Sequence, residues 1–252
     1  NAPQLKWSRW TAMSGTFLSM RLDTKPFDDI RVRRALNMAV NKQEIIKAYY
    51  GGNAEMLGFP MHSSWGGYYE PLADMPESVR ELYVYNPTKA KALLAEAGFP
   101  NGFETEIVAY RERNQTEAII NNLQQVGIKA KLNFSQYAAM RDAIRAGKAS
   151  LTHQTWGSFS VNDVSASIPV WFGGEADDVT RDKETQELLK KGNNSVDPKV
   201  RQQAYQQALK RIADNSYSVP LWSLPVYYVA SKELNFTAYP DEMVRLWEMT
   251  WK

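Results

Sequence analysis

The chain has no cysteine, and that absence alone removes thiol nucleophiles, thiolate metal sites and any disulfide framework. Histidine is nearly absent too. His62 and His153 stand in different segments without a second ligand at a metal-binding spacing, so a structural or surface role is the plainer reading of both, and no metal site is expected. An excess of one charge is also missing. Thirty basic residues against 28 acidic ones give a net charge of +2, and no single-sign run interrupts the sequence, which argues against a nucleic-acid or anionic-lipid surface. No apolar run approaches the roughly 20 residues that cross a bilayer, and no charged-then-apolar signal opens the chain; Asn1-Ala2 reads as the remnant of a cleaved tag. The Gly-x-Ser-x-Gly elbow, the phosphate loop and the dinucleotide fingerprint are absent, and Gly51-Gly52 or Gly173-Gly174 is too little to cradle a phosphate. The paired acids Asp28-Asp29 and Asp177-Asp178 are adjacent in sequence, an arrangement that suits solvent or backbone contacts better than the acid and base of a glycosidase.

What is present is an ordinary globular composition, 252 residues with 44% hydrophobic content, enough for a sizeable core in one large or two small domains. Residues 16–23 read as a strand. Asp28 or Asp29 caps a helix with Ile30, Ala35, Leu36, Ala39 and Val40 near helical spacing, and Asn41 with Glu44 three residues later opens a second helix almost without a loop. Asn86-Pro87 and Gly98 delimit another. Residues 104–110 predict a strand, 115–125 an amphipathic helix ended by Gly127, and 128–134 a strand, which together make a βαβ unit. Ser135 is expected to cap a helix through Ala146, with a strand at 150–156 after it. Helices follow at 183–191 and 198–214, and strands at 219–224 and 226–231, where Pro220 and Pro225 favour edge strands or a bent hairpin. Alternating strands and helices predict an α/β fold, a mixed sheet flanked by helices.

Aromatic residues are plentiful: eight Trp, 13 Tyr and nine Phe. Trp7, Trp10, Trp65, Tyr68, Tyr69, Trp156, Phe159, Trp171 and Phe172 fall in predicted loops or at strand ends, where a ring can face a cleft, although each could instead cover the sheet. As a group they favour a binding groove over a catalytic centre, because binding needs area and a few polar anchors while catalysis needs a titratable nucleophile or base. Arg111 and Arg113 follow directly on the strand at 104–110. A guanidinium there can hold a carboxylate with two parallel hydrogen bonds, or simply pair with Glu112 or Glu117 in solvent.

The segment from Asp23 through Pro26, Phe27, Asp29, Arg31, Val32, Arg33, Ala35, Leu36, Ala39, Val40 and Ile45 resembles the D-x-R-V-R-x-A-L-x-x-A-I-x-R-x-x-I helix of the peptide/nickel type (family 5) of extracytoplasmic solute-binding protein. Tyr49 to Gly52, Pro60, Trp65, Tyr85-Asn86-Pro87, Ala97-Gly98-Phe99, Gly127-Ile128 and Trp156-Gly157 continue the likeness in order, from about Gly15 to Ser231. The resemblance implies a C-terminal lobe of a periplasmic-binding-protein-like clamp. In that division residues 1–15 are a lead-in, 16–218 the ligand-binding lobe, and 219–252 a return segment to another lobe. It further implies a monomeric periplasmic receptor without enzymatic activity or cofactor, which captures a small molecule or peptide for an ABC permease in the membrane and binds no nucleic acid. Trp65, Arg111, Trp156 and Phe159 are the residues expected to face the cleft. One departure stands out: peptide-binding relatives place an acid a few residues beyond the Trp for the ligand's ammonium, whereas here Phe159 takes that place and Asp163 is the nearest carboxylate. An opine-like or carbohydrate ligand therefore stands beside an oligopeptide. An aromatic-groove hydrolase and a peptide-sensing module are the alternatives of other classes.

Overall fold

The computed structural model of the chain describes residues 2–57, 63, 65, 67–157, 163–239 and 243–252. The chain starts with β1 (Leu5–Thr11) and β2 (Ser14–Met20). Strand β1 was not foreseen as a strand: it contains Trp7 and Trp10 and lies outside the main sheet, with neither face well covered. Helix α1 (Ile30–Ala39) begins where Asp29 accepts a hydrogen bond from the Arg31 amide at 2.8 Å, and it buries Val32, Ala35, Leu36 and Ala39. Helix α2 (Lys42–Tyr50) follows after a two-residue joint. Asn41 Oδ1 accepts from the Glu44 amide at 3.3 Å while Asn41 Nδ2 donates to the Glu44 carboxylate at 2.8 Å, the reciprocal cap that the spacing predicts.

The short elements β3 (Glu55–Met56) and α3 (Glu77–Arg80) lead to α4 (Pro87–Glu96), capped by Asn86, whose side chain accepts from the Lys89 amide at 2.9 Å. The βαβ unit is β4 (Glu104–Ala109), α5 (Arg113–Gln125) and β5 (Lys129–Phe134), with the two strands parallel. Helix α6 (Tyr137–Arg145) corrects one expectation. Its N-cap is Gln136, which makes no side-chain cap bond, and the Ser135 hydroxyl merely donates to the Gln136 carbonyl at 3.4 Å. After β6 (Leu151–Gly157) come the five-residue α7 (Ile168–Phe172), then α8 (Lys183–Asn193) and α9 (Pro198–Asp214). The chain closes with β7 (Ser218–Pro220), β8 (Trp222–Ser223), β9 (Pro225–Ser231), β10 (Leu234–Asn235) and β11 (Thr250–Trp251).

Among the described residues the main sheet has five strands in the order β5-β4-β6-β2-β7. Strands β5, β4 and β6 run parallel, and β2 runs antiparallel to both β6 and β7, so the sheet is mixed as expected. Strand β7, which ends on Pro220, is an edge strand, where a missing amide is tolerated. Strand β2 is buried along its whole length, with Phe17 edge-on to Trp171 at 5.6 Å. Separately, β1 and β9 form a two-stranded antiparallel ribbon in register from Leu5 opposite Ser231 to Thr11 opposite Pro225. The aromatic residues split accordingly. Trp65, Trp156, Trp171 and Phe172, read from the sequence as loop or strand-end rings, are all less than one tenth exposed and belong to the core, while Trp7 and Trp10 on the ribbon are exposed. Among the described residues no helix is long and apolar enough to cross a membrane.

Candidate functional site

A cavity of about 860 Å³ opens at one end of the sheet. Tyr110 and Arg111 stand just past the carboxyl end of β4, and Thr155 and Trp156 near the carboxyl end of β6, while Ser14, Gly15 and Thr16 start the antiparallel β2 between them and β7. Side chains released at strand carboxyl ends can meet a ligand without breaking the ladder, and open α/β sheets bind their ligands there for that reason. The remaining walls come from Tyr137 and Arg141 of α6, Ser167, Val170 and Trp171 around α7, and residues 224–227 at the start of β9.

Gly15 is needed for this geometry. It is the register partner of Trp156, and a Cβ there would lie 2.5 Å from Leu57 Cδ1 and 3.1 Å from the indole, so a side chain would displace Leu57 and crowd the ring that rests against β2. Trp156 is 4% exposed and lines the cavity, with its edge supported by Trp65 at a centroid distance of 5.3 Å. Trp65 itself is 1% exposed and does not line the cavity; it is a buttress behind Trp156. Phe159 lies outside the described residues, as does His62. Arg111 is exposed, lines the cavity and lies 5.9 Å from the Tyr110 ring centroid, with no carboxylate within ion-pair distance among the described residues. Arg113 takes the surface alternative, 3.6 Å from Glu117 and over the Phe134 ring. The structure thus brings Arg111 and Trp156 to one cavity, with Trp65 behind.

Sequence reasoning missed Tyr110, Tyr137, Arg141, Ser167 and Tyr227. Tyr137 and Arg141 sit four apart on α6, a spacing that shares a helix face, and this was the one signal available. Tyr110 packs against Tyr137 with ring centroids 4.9 Å apart and planes tilted by 58°, and it shares a hydrogen bond with Thr155.

The acids lie elsewhere. Asp163 caps the turn before α7 through the Ser165 amide (2.9 Å) and is held by both oxygens to Arg201 Nη2 of α9, at 2.7 and 2.8 Å. Partial burial tends to raise its pKa, but hydrogen bonds from Ser165 and Arg201 outweigh that and hold it below the usual carboxylate value. A lowered folded pKa means the link contributes stability above the unfolded value and loses it as pH falls through the folded one. Asp163→Asn is therefore expected to lower Tm by about 3 °C at pH 7, with the gap to wild type narrowing toward pH 3, as thermal unfolding at the two pH values would record. An unchanged Tm at pH 7 would mean the pair does not tie this wall to α9. Asp178 accepts from the amides of Gly174, Thr180 and Arg181, so the second paired acid is a turn-former.

His153 of β6 is buried. Its Nδ1 is 2.8 Å from the Thr116 hydroxyl and its Nε2 3.4 Å from Glu112, which also accepts from Trp222 Nε1 at 3.2 Å and from the Tyr50 hydroxyl. Burial pushes the imidazole below its ordinary pKa, against the pull of Glu112. This cluster packs the core and does not line the cavity. Among the described residues no three His, Asp or Glu side chains gather as metal ligands.

Comparison with known proteins fits this geometry. Residues 1–179 match the family model of bacterial extracellular solute-binding proteins, family 5. Heme-binding protein A of Haemophilus influenzae is 29% identical over 154 residues, 58% of this chain and 27% of that protein. Glutathione-binding protein GsiB of Escherichia coli O1:K1 / APEC is 27% identical over 245 residues, 89% of this chain and 45% of that protein. The solved structure of HbpA2 from Haemophilus parasuis superposes with a TM-score of 0.85 at 27% identity, covering 99% of this chain and 50% of that one. The chain thus spans half or less of the length of these relatives. An aromatic cavity at the strand ends, on a mixed sheet with this order of elements, accompanies the match, and the chain belongs to the bacterial extracellular solute-binding proteins of family 5.

Proposed function

We propose that this chain is the ligand-binding lobe of an ABC importer's periplasmic receptor, which captures a small solute, an oligopeptide or a related compound, and delivers it to a membrane permease without chemical change. The observation that carries the reading is the 860 Å³ cavity at the strand carboxyl ends, walled by the rings of Tyr110, Tyr137, Trp156 and Tyr227, with the exposed Arg111 among its lining residues. Ring faces supply area and a guanidinium supplies direction, which is how a receptor fixes one end of a carboxylate-bearing solute. Relatives named for binding heme and glutathione support solute capture rather than turnover. Residues 16–218 make the lobe in this reading, and 219–252 lead back toward a second lobe that closes on the cavity. The paired β1 and β9 are then the two crossing strands, and the receptor works as a monomer.

The engagement of Asp163 by Arg201 favours a second reading of the ligand. An acid committed to an arginine is not offered to a ligand's ammonium, so an opine-like or carbohydrate solute without a free amino terminus fits the same cavity.

Calorimetry on the protein expressed from its full coding sequence separates these readings. Glutathione, dipeptides, opines and oligosaccharides form the panel, and at least one is expected to bind saturably. Arg111→Gln is expected to weaken a carboxylate-bearing ligand by about 10- to 100-fold, the loss that follows removal of a charge-assisted pair. Failure of every solute to bind would end the receptor reading, and an unchanged affinity in Arg111→Gln would remove that residue from the site.

A further inference from the structure

The cavity holds a second guanidinium. Arg141 lies one helical turn beyond Tyr137, with its guanidinium 5.6 Å from that ring centroid and 5.0 Å from the Trp171 centroid, and it lines the same cavity as Arg111. Two ring faces fix its position and direction. Behind it stands Asp177, whose carboxylate is 4% exposed and bonds Arg141 through Nη2, while Arg145 approaches the same carboxylate at 3.2 Å. One carboxylate thus faces two groups that never lose their protons, and the cluster keeps a net positive charge. Arg145 is about half exposed and outside the cavity lining, whereas the Arg141 side chain is 14% exposed and lines it; only Nη2 of Arg141 bonds Asp177 among the described residues, which leaves the Nε and Nη1 donors for a ligand. No Asp or Glu lies among the described lining residues.

An independent feature points the same way. Ser167 lines this wall, is 2% exposed, and its hydroxyl has no hydrogen-bond partner among the described residues. A buried hydroxyl without a partner is unfavourable unless a ligand completes it, and in a cavity lined by two arginines and no described carboxylate it can donate to an anion.

We propose that Arg141 is a further specificity-determining residue of this cavity, and that the solute carries two anionic groups, one held by Arg111 and the other by Arg141 with the Ser167 hydroxyl. The inference rests on the reading of the cavity as the solute site and narrows it to a dianionic class. Arg111 lies by Tyr110 and Arg141 by Tyr137, the two members of one ring pair, so each guanidinium is anchored on its own ring and can take its own anionic group.

Matched probes test it on the protein expressed from its full coding sequence. Alanylglutamate against alanylglutamine, and glutathione against its glycyl monoethyl ester, each differ by one negative charge. Calorimetry is expected to show the dianionic member binding about tenfold tighter or more in at least one pair. In Arg141→Gln that preference should shrink to within about twofold while the monoanionic member keeps its affinity, and Arg141→Lys should retain part of it. Merely structural work by Arg141 would weaken both members equally. Equal affinities in wild type, or a preference that survives Arg141→Gln, would overturn the proposal and leave the receptor reading standing. The wild-type comparison decides even where a variant does not fold. Silence of both pairs while another solute binds overturns it when that solute carries fewer than two anionic groups, and supports it when the bound solute is a dianion that loses affinity in Arg141→Gln.

Discussion

Arg33→Met is expected to lower the thermal midpoint by roughly 10 °C, corresponding to a loss of about 3 to 5 kcal/mol. Arg33 is 6% exposed and fastens the start of α1 to the end of α9. Its Nε and Nη2 donate to the Asn215 carbonyl at 3.1 and 2.9 Å, and its Nη1 donates to the carbonyls of Phe27 and Asp28 at 3.0 and 3.1 Å. Asn215 is the C-cap of α9, where the helix dipole concentrates negative charge and a cation is favoured. The guanidinium also sits 5.8 Å from the Tyr217 ring centroid. Methionine can fill much of the volume but offers no donor, so three backbone acceptors in a largely dry junction lose their partner together. Thermal unfolding of the two proteins, with circular dichroism to confirm that the variant folds, measures the effect. A fall of less than about 2 °C would mean that water or a neighbouring side chain replaces the guanidinium.

Lys42→Met is expected to change the pH dependence of stability rather than simply its level. The Lys42 ammonium is buried at the first turn of α2, 3.5 Å from the Asn37 carbonyl and 3.4 Å from the Leu82 carbonyl, over the Tyr83 ring at 4.8 Å. No carboxylate pairs with it among the described residues. Loss of hydration lowers its pKa from 10.5 to about 7. Between about pH 7 and 10.5 the unfolded chain therefore holds a proton that the folded chain has released, and folding stability rises with pH across that window. Below pH 7 both states carry the charge and the folded state bears the whole desolvation penalty. Wild-type Tm should climb from pH 6 to pH 10 relative to the methionine variant, with the gap between them changing by on the order of 4 kcal/mol, or roughly 10 °C. Comparing the two proteins cancels the other titrating groups, including buried His153 and the tyrosines. Parallel Tm-against-pH curves would show that Lys42 stays protonated in the folded protein throughout the range.

The parts of this chain that follow from short-range rules were legible in its residues. Asp29 opens α1, Asn41 with Glu44 opens α2, Asn86-Pro87 opens α4, and the helix predicted at 198–214 has those bounds. Each depends on a polar side chain reaching an amide two or three residues on, and the sequence displays that whole interaction. The parallel βαβ unit was legible because hydrophobic period switches cleanly across β4, α5 and β5. Strand β1 was not, since its partner β9 lies at the other end of the chain and neither strand shows the one-sided pattern of a buried face. The candidate site was half legible. Arg111 announced itself by following a strand, but Arg141 reads as any helix-surface arginine until α6 is laid beside α7 and Trp171. Trp65 and Trp156 look alike as loop-edge rings, yet one backs the other and only Trp156 reaches the cavity.

By itself the sequence determined the α/β alternation, the helix caps, the exclusion of thiol chemistry and the family pattern running through α1, because these reside in residue types and in spacings of a few positions. Tertiary structure alone decided which rings are wall and which are core, that Asp163 turns toward Arg201, and that Arg111 and Arg141 share one cavity with Ser14 and Tyr227. Those outcomes depend on where distant strand ends meet and how much water is left between them, and neither is encoded within any short stretch of chain.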